Sequence, residues 1–407
     1  MKKIYTILAI ILLAVMTGCG GGSNQSDDFI TVDVTKRYPM KELILQDILD
    51  VEYIPLESTE DFITMANIQA IGKEFIITRN LFPGDGDNVF FGRTGKGLRT
   101  INRKGQGPGE YIDVGGVMGV VLDEDNNEFY VNDGGQRKIF VYDLWGNFKR
   151  SFSYKEGPFF SYSYIFIFDR DHLICHSADI HTGPLRFPDR EYSRNEFTII
   201  SKQDGSVTKE IEIPYKEGKP MSMSVVVNGR TINSLPARDW RLNPYHESWI
   251  LAEVSSDTIY RYFPDHSMIP FIVRTPSIQS MDPEVFLIPS MLTDRYYFMQ
   301  SIKKALPDTE TREFPRTELM YDTQEKAIFE TVVYNDDFSN QRRVPMWYIY
   351  GETFLINSKE IVFAERLEAF ELVKAYKEGK LKGKLKEIAA ELDEEDNAVI
   401  MIAKNKK

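Results

Sequence analysis

The sequence predicts an all-β chain, a six-bladed β-propeller of four-stranded antiparallel blades with a helical insertion near the C-terminus. Three observations predict it. Residues 118–154 read as four short strands joined by tight turns, the make-up of one propeller blade. The outer hairpin of that unit recurs downstream at steps of about 60 residues. Aromatics make up 13% of the 407 residues, with 21 Tyr and 26 Phe, side chains that fit a pleated surface.

Taken in order, Met1-Lys2-Lys3 is a basic start and Ile4 to Met16 an apolar run too short to span a bilayer comfortably. Thr17-Gly18 sets small residues before Cys19. This arrangement resembles the bacterial lipobox, with Met16 where Leu is usual, and the resemblance implies lipidation of Cys19 after removal of residues 1–18. Residues 19–28, rich in Gly and Ser and ending Asp27-Asp28, read as a flexible tether. The acidic pair resembles a surface-export signal; a merely solvated linker reads equally well. Residues 29–407 are expected to form a single propeller domain.

Ile30-Thr31-Val32-Asp33-Val34 alternates as a strand does, and Val51 to Leu56 is a second strand. Met40 to Leu49 fits either a short helix or an irregular strand. Ile68 to Thr78 is a hairpin turning at Gly72-Lys73. Residues 80–97, rich in Gly and Asp, read as loop, and Leu98 to Asn102 as a strand. Arg103-Lys104-Gly105-Gln106-Gly107-Pro108-Gly109-Glu110-Tyr111 is a tight connection, since three glycines and a proline suit neither helix nor strand. The clearest blade follows: Met118–Asp123, Glu128–Asp133, Lys138–Asp143 and Phe148–Tyr154. Ile139–Asp143 then matches Phe197–Ser201, Ile259–Phe263 and Glu318–Asp322. Each is followed by a polar turn and a further strand, beginning at Phe148, Val207, Met268 and Ala327.

Near the end, residues 359–377 and 381–392 carry apolar residues at helical spacing and predict a helical insertion in the last blade. Ala398–Ala403 is a closing strand, expected to pair with the first strands so that the ring has no open edge. Together the lipobox, Val51–Leu56, the Gly105–Tyr111 turn, Lys138–Gly146 and the Asp396-Asn397 turn with its strand resemble the six-bladed β-propeller lipoproteins of Bacteroides-type bacteria, which are similar to NHL-repeat proteins. The resemblance implies a propeller fold and a place in the cell envelope, anchored by lipid to the outer membrane. It brings no catalytic residues with it.

The formal charge of −12 repels phosphate backbones and argues against nucleic acid as a partner. Gly92-Arg93-Thr94-Gly95-Lys96-Gly97 has neither the spacing nor the following Ser or Thr of a phosphate loop, and Pro108 spoils a dinucleotide fingerprint. His172, His176 and His181 gather near Cys175 and Asp179, at spacings that match no standard zinc site. Asp123, Asp125, Asn126 and Glu128 read as an acidic turn before they read as a calcium loop. No metal and no cofactor is expected, and Cys175 reads as a buried thiol.

The most ligand-like stretch runs from Arg238 to His246, where Arg238, Trp240, Arg241 and Tyr245 mix aromatic platforms with charged groups in what reads as a long polar loop. Packing of Trp240 and Tyr245 beneath that loop is the alternative. Arg103, Lys104, Glu110 and Tyr111 form a second candidate patch. The expected role is binding of a glycan, a peptide or a partner protein, within a nutrient-uptake system by analogy. A carbohydrate-active hydrolase or lyase at the central funnel is the alternative; the 61 acidic residues single out no catalytic pair.

Overall fold

The computed structural model describes residues 29–80, 86–114, 119–154, 162–177, 196–221, 223–227, 230–234, 241–305, 314–349, 351–354, 356, 358 and 360–406. Cys19 and the segment around it lie outside these residues, as do Asp179, His181, Arg238 and Trp240. The chain opens with β1 (Ile30–Asp33), β2 (Met40–Ile44), a one-turn helix α1 (Leu45–Ile48) and β3 (Leu49–Pro55). The reading of residues 40–49 as helix or strand thus resolves into both.

The first blade is β4 (Asn67–Ile71), β5 (Phe75–Arg79), β6 (Asp87–Gly92) and β7 (Gly97–Asn102). The second is β8 (Val120–Asp123), β9 (Glu128–Asp133), β10 (Lys138–Asp143) and β11 (Phe148–Ser153). The third is β12 (Tyr162–Ile167), β13 (His172–Ser177), β14 (Phe197–Ser201) and β15 (Val207–Ile211). A separate hairpin, β16 (Met223–Val227) with β17 (Arg230–Ser234), precedes the fourth blade. That blade is β18 (Leu242–Tyr245), β19 (Ser248–Leu251), β20 (Thr258–Tyr262) and β21 (Met268–Thr275). The fifth is β22 (Val285–Leu292), β23 (Tyr296–Lys303), β24 (Arg316–Asp322) and β25 (Ala327–Asn335), with the short β26 (Arg342–Val344) beside β25. The sixth runs β27 (Thr353–Phe354), β28 (Ile361–Leu367), β29 (Val399–Asn405) and then β3 from the start of the chain. The recurring segments of the sequence, β10, β14, β20 and β24, are the third strands of their blades, as the sequence predicts.

Alternation explains why these blades stack. Along β9 and β10, Phe129, Val131, Phe140 and Tyr142 face the first blade and meet Ile77, Phe90 and Ile101. Tyr130, Ile139 and Val141 point the other way, onto Ile165, Leu173 and Cys175 of the third blade. Both faces of the sheet are buried, so the strands read as continuous apolar runs. A slip of one residue would exchange the two faces and lose both seams. Full burial of each such Val or Phe side chain stabilises by about 1.5–3 kcal/mol, and no blade can provide it without neighbours.

The N-terminal segment binds three blades in succession. β1 adds a parallel fifth strand to the fourth blade, Ile30 beside Ile272, and β2 adds one to the fifth, Met40 beside Glu330. β3 then pairs antiparallel with β29 over its whole length, Leu49 with Asn405 and Pro55 with Val399. The ring is closed by hydrogen bonds between the two ends of the chain. The sequence reading foresees that closure but not the two parallel strands.

Three further expectations are corrected. Residues 87–92 form β6 and not a loop: flanking Gly and Asp hide the buried run Val89-Phe90-Phe91. Ile361–Leu367 is strand β28. It is buried on both faces, so its contiguous apolar residues mimic helical spacing. The predicted helices shrink to α2 (Ala369–Lys377) and α3 (Gly383–Ala390), which sit between the second and third strands of the last blade. Lys374 and Lys377 lie in the last turn of α2, where a helix end favours cations, and Gly379 follows at φ +68°.

Candidate functional site

Antiparallel blades send their connections alternately to the two ends of the ring. At one end lie turns such as 124–127, 144–147 and 323–326. At the other lie the blade-to-blade crossings and the connections between second and third strands. Among the described residues, this loop face carries 103–114, 212–221, the β16–β17 hairpin and both longer helices. Scaffold turns are kept short and ligand contacts concentrate in longer loops, so the loop face is the candidate site.

At this face the seam between the third and fourth blades holds a charged cluster. His176 is the last residue but one of β13, Glu196 precedes β14, and Arg241 precedes β18. The Ser177 N–H donates to the Glu196 carbonyl at 2.8 Å and the Ala252 N–H to the Arg241 carbonyl at 2.9 Å, which fixes both backbones. Glu196 Oε2 lies 3.4 Å from His176 Nε2 and 3.5 Å from Arg241 Nη1, and all three side chains are at most 4% exposed. Arg241 Nη2 also reaches Met221 Sδ at 3.6 Å. The His176 ring stacks on Tyr164 at 5.6 Å and tilts against Phe197 at 5.1 Å. Glu196 thus lies between the Arg241 guanidinium and the His176 ring, and a carboxylate in so dry a seam is costly to bury unless paired. Here it joins two residues, His176 and Arg241, that the sequence analysis places in separate patches. Glu196 was missed; its only signal is a charge directly before the apolar strand Phe197–Ile200.

Of the stretch 238–246 only residues 241–246 are described, and Arg241 and Tyr245 do not share one patch. Leu242–Tyr245 is the inner strand β18 and not part of a polar loop, and it separates Arg241 from Tyr245. The Tyr245 ring is buried under the Arg261 guanidinium, 5.1 Å away, with its hydroxyl 3.1 Å from that of Tyr297. Burial, then Tyr297, pushes its pKa well up. Tyr111 is fully buried: its hydroxyl donates to the Gly86 carbonyl at 2.6 Å and accepts from Asn88 Nδ2 and the Arg103 N–H. It works as an internal anchor for the Gly105–Tyr111 turn and offers nothing to an outside ligand. Arg103 is exposed, its Nε donating to the Gly146 carbonyl at 2.7 Å.

The acidic turn after β8 is neutralised by cations. Lys202 Nζ lies 2.7 Å from Asp123, Lys73 Nζ 2.8 Å from Asp125, and Arg150 Nη1 2.7 Å from Glu128. Burial opposes the charge on Glu128, yet Arg150, Lys149 and Tyr130 outweigh it and hold its pKa at about 2. His172 pairs with Asp169 at 2.9 Å. Among the described residues no group of three His, Cys, Asp or Glu could hold a metal ion. Gly95 sits at φ +85° where a Cβ would meet the Pro55 carbonyl oxygen at 1.9 Å, so residues 92–97 form a packed turn, as expected. Burial pushes the Cys175 thiol up, as befits an inert core residue.

At the opposite end, a small crevice opens beside β18 and β22. Asn243 lines it, 1% exposed. Its Nδ2 donates to the Ser290 carbonyl at 3.3 Å, and its Oδ1 has no hydrogen-bond partner among the described residues. His246, paired with Asp294 at 3.3 Å, borders the same opening.

Comparison with known proteins gives a family and a fold. The family model that matches, over residues 29–404, is described as a domain of unknown function, DUF4934. No curated protein matches. A crystal structure of a protein from Bacteroides fragilis NCTC 9343, assigned as exported, is similar over 93% of this chain and 100% of its own, at 16% identity and a TM-score of 0.59. A protein of unknown function from Bacteroides thetaiotaomicron VPI-5482 covers 91% of this chain with 75% of its own, at 9% identity and a TM-score of 0.37. Virginiamycin B lyase from Staphylococcus aureus covers 88% of this chain with 99% of its own, at 9% identity and a TM-score of 0.34.

Proposed function

Because the chain belongs to the DUF4934 family, whose description assigns no activity, its role has to come from its own geometry, and we propose that it is an exported binding module that takes a glycan, a peptide or a partner protein on the loop face. The observation that carries this reading is the asymmetry of the two ends. The connections at one end are long in sequence, and most of those at the other are tight turns. A ligand at the loop face meets residues from several blades at once, the usual merit of a propeller. The lipobox-like Thr17-Gly18-Cys19 supports attachment by lipid to the outer membrane, and the exported B. fragilis protein of similar fold supports an envelope location. Arrays of glycans and peptides probed with the full chain test the binding reading; absence of any saturable ligand counts against it.

A carbohydrate-active hydrolase or lyase is the second reading, favoured by His176 and Glu196, residue types fit for acid–base work. The stacked, 1% exposed His176 ring is out of a substrate's reach in this conformation. Release of new reducing ends from polysaccharides, lost in Glu196→Gln, would establish catalysis; an inert chain leaves binding alone.

A further inference from the structure

We propose that Trp145, with Arg99 and Arg103, forms a separate site on the outer seam of the first and second blades for an acidic sugar, a uronic-acid ring within a polysaccharide. Internal comparison of blades singles Trp145 out. Five blades turn from third to fourth strand through one residue with φ between +50° and +86°: Gly95, Gly146, Gly205, His266 and Lys326. The residues just before these are Thr94, Trp145, Asp204, Asp265 and Glu325. Four are polar, as an exposed tip requires. The second blade alone places an indole there, and it is 73% exposed. An isolated surface Trp has no part in the core, and the turn does not need one.

The indole is held in place. Asp143 Oδ1 accepts the Trp145 and Asn147 N–H groups at 2.9 and 2.8 Å, fixing the turn. The Arg99 guanidinium lies 4.4 Å from the Trp145 ring and 5.1 Å from that of Phe90, a cation between two π faces. Arg103 Nε bonds the carbonyl of the next residue, Gly146. Phe148, 44% exposed, extends the apolar surface and packs against Gly109 of the neighbouring loop. A rigid aromatic face costs little ordering entropy when a ligand settles on it.

The charge of the site supplies a second, independent observation. In a chain of net charge −12, Arg99 and Arg103 have no carboxylate within ion-pair distance among the described residues. Asp143, the acid that acts on Arg99, is occupied by its own turn. Two uncompensated guanidinium groups beside a flat apolar face call for a ligand that is apolar on one side and anionic at its edge. A uronic-acid ring meets both demands in one rigid unit: its C–H face covers the indole and its carboxylate reaches an arginine. An acidic peptide carries its charge on flexible stems and loses more freedom on binding.

Native electrophoresis of the full chain in detergent, through gels containing polygalacturonate, dextran or poly-glutamate, tests this at about 0.15 M salt, where charges more than ~8 Å away are screened. Polygalacturonate is expected to retard the wild type, dextran to leave it unmoved, and poly-glutamate to act more weakly. Trp145→Ala should weaken retardation about tenfold, Trp145→Phe should restore part of it, and Arg103→Gln should weaken it less than Trp145→Ala. Since Trp145 is exposed, the melting temperature should not move, which separates loss of the site from loss of the fold. Equal retardation of Trp145→Ala, equal retardation by poly-glutamate, or none by polygalacturonate overturns the proposal, and none of these outcomes bears on the loop face.

Discussion

Lys202 of the third blade places its ammonium 2.7 Å from the Asp123 carboxylate of the second, and both side chains are at most 5% exposed. The same ammonium donates to the carbonyls of Asp169 and Arg170 at 2.7 and 3.1 Å. The pair bolts the inner end of one seam. Replacing Lys202 by Met should leave Asp123 buried without its cation and cost about 3–5 kcal/mol. Urea unfolding measures this; Lys202→Met with Asp123→Leu should recover much of the loss, and a loss under 1 kcal/mol for the single variant would show the pair to be dispensable.

Two buried carboxylates give opposite responses to pH. Glu128 is held at about 2, below its ordinary 4.5, so its stabilisation is complete above pH 4.5 and disappears as pH falls toward 2. Glu365, 2% exposed beside Arg342 at 2.7 Å, has its pKa raised by burial despite that arginine, so the folded state holds its proton more tightly and stability falls as pH rises above the ordinary 4.5. Thermal unfolding from pH 2.5 to 7 should therefore show a shallower acid loss in Glu128→Gln. Arg342→Met should destabilise most at pH 7 and less near pH 4.5; an equal penalty at both pH values would contradict the assignment.

Among the described strands the N-terminal β1 pairs only with β21, and its Val32 is fully buried. Val32→Asp should release this strand and not the ring, freeing the backbone at the already exposed Lys36 and Arg37 to enter the trypsin site. Faster cleavage there with a melting temperature lowered by only a few degrees is the expected outcome. Global unfolding at ordinary temperature would instead make β1 part of the ring's own stability.

The sequence reveals the second blade almost strand for strand because its apolar runs are bounded by Asn126-Asn127 and Gly146-Asn147, strong turn formers. The closing strand Val399–Asn405 is legible for the same reason, after Asp396-Asn397. Less visible is what a strand pairs with: β1 reads as a strand and β2 as strand or short helix, yet nothing local says that each joins a parallel edge more than 200 residues away. Exposure is equally hidden. Tyr111 looks like a ligand platform until its hydroxyl is found on the Gly86 carbonyl, and Trp145 looks like turn filler until it is found in the open. Glu196 gains meaning only when the fold brings it to His176 and Arg241.

Hydrogen–deuterium exchange of the full chain, carrying Trp145→Ala to silence the outer seam, with and without the strongest array ligand, tests the loop-face reading most directly. Slower exchange should gather at Ser177, at Glu196–Ile199 and at Arg241–Asn243, leaving the turns 124–127 and 323–326 unchanged. Protection confined to those turns, or spread evenly around the ring, would contradict it.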